Sequence, residues 1–177
     1  LARLGVGKTW YALYLCYLYW KQGLRPMFIS LEMTELDVGK RFDALASGIS
    51  YSGMIKGTLS AEEIDEFIKY KNEIKTLPNK FFVAAPSRCD VQKIHQLIKE
   101  YKPSIVFIDY IQMVKATKSK TFKDKRFELE EIIYDSKEIA KKEQIPIVYL
   151  TQANREGKEA MPTPDNIKEA DAIGAGA

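Results

Sequence analysis

Histidine and cysteine are scarce, and that scarcity removes whole classes of chemistry. The 177 residues hold one histidine, His95, and two cysteines, Cys16 and Cys89. A catalytic metal centre of His and Cys ligands has too few donors. The cysteines stand far apart and outside any Cys-x-x-Cys spacing. That argues against a disulfide framework or a zinc site and points to a reducing cytoplasm. No uninterrupted apolar run reaches the ~18 residues of a membrane span. The most apolar stretch, Trp10 to Trp20, is eleven residues long and carries four tyrosines. The first residues lack the apolar core of a signal peptide, because Arg3 and Lys8 frame glycines there. Neither sign of charge dominates: 27 Lys+Arg against 24 Asp+Glu leave +3. A polyanionic partner must therefore be argued from local clusters. There is no internal repeat and no low-complexity linker. At 46% hydrophobic and 29% charged, the chain has the composition of one ordinary globular domain.

What is present alternates in type. Residues 9–22 are apolar nearly all round and stop at Gly23, which predicts a helix buried against its neighbours. Short apolar runs predict strands at Pro26–Leu31, Phe81–Ala85, Ile105–Asp109 and Pro146–Thr151. Between them, helices are expected from Thr34 to Ser47, with Thr34 as N-cap, and from Ser60 to about Lys75, opened by the capping box Ser60-Ala61-Glu62-Glu63. Two more are expected from Asp90 to Tyr101 and from Arg126 to Lys142. Continuous rather than alternating apolar strands belong to a sheet covered on both faces. The expected fold is therefore α/β, with a mainly parallel sheet. Ligands of such sheets sit at the carboxyl ends of the strands.

Ala2-Arg3-Leu4-Gly5-Val6-Gly7-Lys8-Thr9 fits the Walker A pattern, in the form A/G-x-x-x-x-G-K-T. Its glycines let successive N–H groups turn inward on phosphates, and the following helix adds its positive end. Lys8 can neutralise β- and γ-phosphate oxygens, and the Thr9 hydroxyl can ligate Mg²⁺. Ala2, Gly5, Val6, Gly7, Lys8, Thr9 and Trp10 are the candidate nucleotide contacts, for ATP with Mg²⁺. The plainer reading is an ordinary turn before a helix. A phosphate loop should follow a buried strand, and only Leu1 precedes Ala2. The expectation is a partial domain over residues 1–177, cut just after its first strand and again beyond Gly174-Ala175-Gly176-Ala177, and a poor enzyme as it stands.

Ile105-Val106-Phe107-Ile108-Asp109 is a Walker B pattern, four apolar residues and an acid, which would fix Asp109 near Mg²⁺. Glu32 ends the apolar run Pro26–Leu31, where a carboxylate can deprotonate an attacking water. Thr151-Gln152 ends the last, where a glutamine can sense a γ-phosphate. The plainer readings are an acid closing a strand, a helix N-terminal charge and a polar strand end.

Taken in order, Ala2–Thr9, Ser30-Leu31-Glu32-Met33, Asp109-Tyr110-Ile111-Gln112 and Thr151-Gln152-Ala153-Asn154-Arg155 resemble the RecA-like motor domain of DnaB-type replicative helicases. Gly57-Thr58-Leu59-Ser60 and Arg126-Phe127-Glu128-Leu129 are similar too, and the resemblance covers nearly the whole chain. It implies a RecA-like P-loop NTPase core and a homohexamer that hydrolyses ATP to translocate on single-stranded DNA and unwind duplex. A primase, a helicase loader and the cytoplasm of a bacterial or phage-infected cell go with it. It makes Glu32 the catalytic base, Lys8 and Thr9 the phosphate and Mg²⁺ ligands, Asp109 the metal-side acid and Gln152 the γ-phosphate sensor. Tyr134 departs from the family, which has arginine there. The arginine finger would lie beyond Ala177.

Residues 115–126 carry Lys115, Lys118, Lys120, Lys123, Lys125 and Arg126 against Asp124 alone, a local charge of +5. By the resemblance this loop faces the central channel, where its lysines would hold DNA phosphates without reading sequence; by charge alone it is a solvated loop. His95 reads as a surface or half-buried side chain and Cys16 as core. Arg41 and Arg155 read as nucleotide or subunit contacts, or as surface ion pairs. Two other functions stay open: another RecA-type ATPase, recombinase or regulatory, and a nucleotide-gated scaffold that loads other proteins onto DNA.

Overall fold

The structure, a computed structural model, describes residues 7–117 and 125–152. Six helices and four strands follow one another as α1 (Lys8–Lys21), β1 (Pro26–Ser30), α2 (Glu35–Ser47), α3 (Tyr51–Lys56), α4 (Ala61–Thr76), β2 (Phe82–Ala84), α5 (Val91–Tyr101), β3 (Ile105–Asp109), α6 (Lys125–Glu143) and β4 (Ile147–Tyr149). The strands form one parallel sheet in the order β2-β1-β3-β4. After β2 the chain crosses back over β1 to place β3 on its far side. The order thus reverses between β1 and β3, and a crevice opens at their carboxyl ends. The register there is fixed: Phe28 pairs with Phe107 and Ser30 with Asp109.

Both central strands are buried along their whole length, as their unbroken apolar runs require. Their side chains alternate between two cores. Phe28, Ile105 and Phe107 pack with Ala12, Leu13 and Cys16 of α1 and with Val38 and Phe42 of α2. Met27, Ile29, Val106 and Ile108 pack with Ile94 and Leu97 of α5 and with Leu129 and Ile132 of α6.

The expected caps are in place. Thr34 accepts the Asp37 N–H at 3.2 Å, and Asp90 accepts the Lys93 N–H at 2.7 Å. At α4 the Ser60 hydroxyl accepts the Glu63 N–H, while the Glu63 carboxylate accepts the N–H groups of Ser60 (2.9 Å) and Ser50 (3.2 Å). Those N–H groups hold the Glu63 carboxyl below its ordinary value of 4.5. Its stabilising effect is therefore complete above 4.5 and disappears as pH falls through the lowered value. In urea titrations Ser60→Ala should cost ~1 kcal/mol. The advantage of wild type over Glu63→Gln should fade as pH falls from 4.5 through the lowered value.

Three expectations need correction. Helix α1 is buried on one side only: Tyr11 is 66% and Tyr14 44% exposed, because the sheet and α2 take up a single face. Lys125 opens α6 rather than lying in the basic loop, one residue before Arg126, where the helix was expected to begin. Glu128 draws Lys125 into the helix at 2.6 Å, and Glu130 lies 3.7 Å from Arg126. Residues 51–56 form a short helix that apolar periodicity did not reveal. Among the described residues, no helix is long and apolar enough to cross a membrane.

Candidate functional site

The site is built where α1 begins and β3 ends. Gly7 adopts a left-handed conformation (φ 84°) that L side chains rarely take, and α1 starts directly after it. The first helical hydrogen bond runs from the Tyr11 N–H to the Gly7 carbonyl at 2.9 Å. The N–H groups of Lys8, Thr9 and Trp10 are thus left without intrahelical acceptors, at the positive end of a helix.

The Lys8 and Thr9 side chains of this turn converge on one carboxylate. Asp109, 1% exposed at the end of β3, accepts the Thr9 hydroxyl through Oδ2 at 2.5 Å and lies 3.0 Å from Lys8 Nζ through Oδ1. That second contact is an ion pair without aligned hydrogen-bond geometry, so Oδ1 is a buried acceptor with spare capacity. The Lys8 ammonium also sits 4.5 Å from the centre of the Tyr110 ring. A hydroxyl and an under-used carboxylate oxygen side by side suit Mg²⁺, which completes its shell with water and phosphate oxygens rather than with an all-protein cage. No cluster of three His, Cys, Asp or Glu side chains that could hold a metal alone occurs among the described residues.

Glu32 lies one residue beyond Leu31, whose N–H donates to the Asp109 carbonyl at 2.9 Å. The loop is pinned by Ser30, whose hydroxyl donates to the Met33 carbonyl (2.8 Å) and accepts the Met33 N–H (2.9 Å). Glu32 itself is exposed. Its carboxylate has no hydrogen bond or ion pair with another described residue. Gln152, three residues beyond β4, is reached through a residue given no role above. The Gln112 amide donates to the Thr151 hydroxyl at 3.0 Å and to the Gln152 carbonyl at 3.4 Å. The Asp-Tyr-Ile-Gln motif was the signal for Gln112. Lys8, Thr9 and Asp109 are therefore in contact, Glu32 follows the strand paired to Asp109, and Gln112 ties Gln152 to the segment after β3.

Other candidates fall elsewhere. The Trp10 ring packs edge-on against Tyr51 at 5.0 Å, and the Arg41 guanidinium lies 5.2 Å from Trp10 and 5.3 Å from Tyr51. What Trp10 offers a phosphate is thus its backbone N–H. Lys115 is exposed beyond β3, its N–H donating to the Cys89 carbonyl at 2.9 Å. Ala2, Gly5, Val6, Lys118, Lys120, Lys123 and Arg155 lie outside the described residues. His95 joins α5 to the last residue of α6, Glu143, at 2.6 Å, where α6 leads into the start of β4 and away from the strands' carboxyl ends. Burial raises both thiols far above neutrality, Cys89 to about 12, so neither is a nucleophile.

Comparisons with known proteins bear on the fold and the family. A relative, the replicative DNA helicase DnaB of Treponema pallidum, is 27% identical over 176 residues, covering 97% of this chain and 40% of its own length. Two solved structures superpose with a TM-score of 0.87 at 20% identity, over 99% of this chain. One is an ATPase domain, of which 64% is covered. The other is a DnaB-like replicative helicase studied for its interactions with primase, of which 44% is covered. The chain thus has the fold of these two structures and spans about two fifths of the length of its Treponema relative. The family model for the DnaB-like helicase C-terminal domain matches residues 1–177, and the chain belongs to that family.

Proposed function

We propose that this chain is the ATP-hydrolysing motor of a replicative DNA helicase, acting with Mg²⁺ to move along single-stranded DNA and separate duplex. The observation that carries the reading is the convergence of Lys8 and Thr9 on the buried Asp109 carboxylate. The N–H groups of Lys8, Thr9 and Trp10 hold phosphate oxygens, and the Lys8 ammonium offsets their charge. Thr9 and Asp109 would hold Mg²⁺, which when bound polarises the β- and γ-phosphate oxygens. Glu32 takes the proton of the attacking water, and Gln152 senses the γ-phosphate. Lys115 and the loop after it contact DNA phosphates.

An arginine from a neighbouring copy in a homohexamer completes the site. Primase and a loader are the expected partners, in the cytoplasm.

The test uses the full-length protein: phosphate release with and without oligo-dT, and displacement of a labelled strand from a forked duplex. The expected result is Mg²⁺-dependent turnover stimulated by oligo-dT, with displacement only when ATP is present. Turnover without displacement would identify some other RecA-type ATPase.

A further inference from the structure

A second cavity opens at the carboxyl edge of the sheet, beyond β1, β2 and β3. Its volume is ≈ 590 Å³, a size that suits a small organic ligand or one nucleotide unit. Three cations line it, each from a different place in the chain: Arg88 after β2, Lys93 in the first turn of α5 and Lys115 after β3. One carboxylate, Asp90, shares the lining, and it is engaged in capping α5 through the Lys93 N–H. Glu128 feels the charge of Lys115 from α6, but its ion pair is with Lys125. None of the three cations has an ion pair with a described residue. Lys93 Nζ donates only to Gln96, at 3.2 Å. The remaining wall is apolar, with Leu31, Pro86 and Met113, and Met113 is 41% exposed.

A rim of unpaired cations beside an apolar wall suits a ligand that repeats a phosphate next to a flat apolar group. A free inorganic anion would gain nothing from Leu31, Pro86 or Met113. A nucleotide of a single strand uses both, its phosphate on the cations and its base or sugar on the wall. The geometry points to this cavity as a seat for the backbone of single-stranded DNA, with Arg88 and Lys93 as phosphate contacts beside Lys115. This rests on the proposed function and adds two residues outside the basic loop. The seat also adjoins the hydrolysis site: Leu31 lines it, directly before Glu32, and Met113 lies next to Gln112.

The test is binding of fluorescent oligo-dT to the full-length protein over a series of salt concentrations. Each of Arg88→Ala and Lys93→Ala should lower the slope of log K against log salt by about 0.7, which is about fivefold in affinity at ~0.1 M salt. Arg88→Lys should restore the slope, and an unchanged thermal midpoint shows that the variants fold. A wild-type slope in the double variant overturns the proposal. So does displacement of oligo-dT by inorganic phosphate beyond its ionic-strength effect, which would mark a free-anion site. Loss of the oligomer with DNA binding intact also overturns it, by marking a protein interface. Failure of the wild type itself to bind oligo-dT would instead remove the proposed function.

Discussion

Lys8→Ala in the full-length protein should lower ATP turnover by ~10²–10³-fold, the usual cost of removing one preorganised donor from a developing phosphoryl charge. The prediction follows from where the ammonium is held. It is 3.0 Å from a carboxylate that is itself 1% exposed, and it faces the Tyr110 ring. It is therefore positioned before any nucleotide arrives, and little reorganisation remains for the reaction. The substitution should also weaken the fold, since the buried Asp109 keeps only the Thr9 hydroxyl; about 1–3 kcal/mol is expected. Lys8→Met, which retains most of the apolar stem, separates the two effects: both variants lose turnover, and the methionine recovers whatever stability came from packing. Phosphate release and urea unfolding of the same samples check the pair. Turnover within tenfold of wild type would mean that phosphate charge is met by another group.

Glu32→Gln should reduce kcat by ~10²–10⁴-fold, the range of general-base catalysis, while the Kd for a fluorescent ATP analogue stays within about twofold. The structure makes this substitution unusually clean. The loop is fixed by the two hydrogen bonds between Ser30 and Met33 and by the Leu31 N–H on the Asp109 carbonyl. The Glu32 carboxylate bonds to none of the described residues, so an amide there disturbs no packing. A scaffold that only gates on nucleotide would keep its loading activity with this change, whereas a motor would bind ATP and stall. Single-turnover phosphate release distinguishes the two. A kcat unchanged in Glu32→Gln would remove Glu32 from the proton transfer.

Much of this was legible in the chain because the strongest signals are local. Unbroken apolar runs located all four strands, Asp109 ends β3 as the pattern required, and Thr34, Ser60 and Asp90 cap their helices. Strand ends shortened by a residue or two, since outer residues such as Phe81 and Thr151 lack ladder partners. Non-local facts were not readable. Arg88 and Lys93 meet Lys115 only because β2 and β3 flank β1, and no spacing in the sequence encodes that neighbourhood. The seat of Lys125 depended on an acid one turn ahead. Helix α3, six residues with Gly53 inside, carries too little periodic signal to be recognised, although Ser50 marks its start. The aromatic run of α1 pointed to burial against the sheet, and the stripe Ala12, Leu13 and Cys16 is what that packing buries.

The packing of Arg41 against Trp10 gives the molecule an optical handle. Trp10 directly follows Thr9, and its indole touches a guanidinium and Tyr51. Trp20, the other tryptophan, is ten positions along the same helix, roughly 15 Å away, packed edge-on against Phe42. One fluorophore therefore stands beside the turn proposed to hold phosphate, and the other at the far end of α1. If the proposed function holds, exchanging Trp20 for phenylalanine should leave an intrinsic emitter whose spectrum changes on ATP addition, without any attached dye.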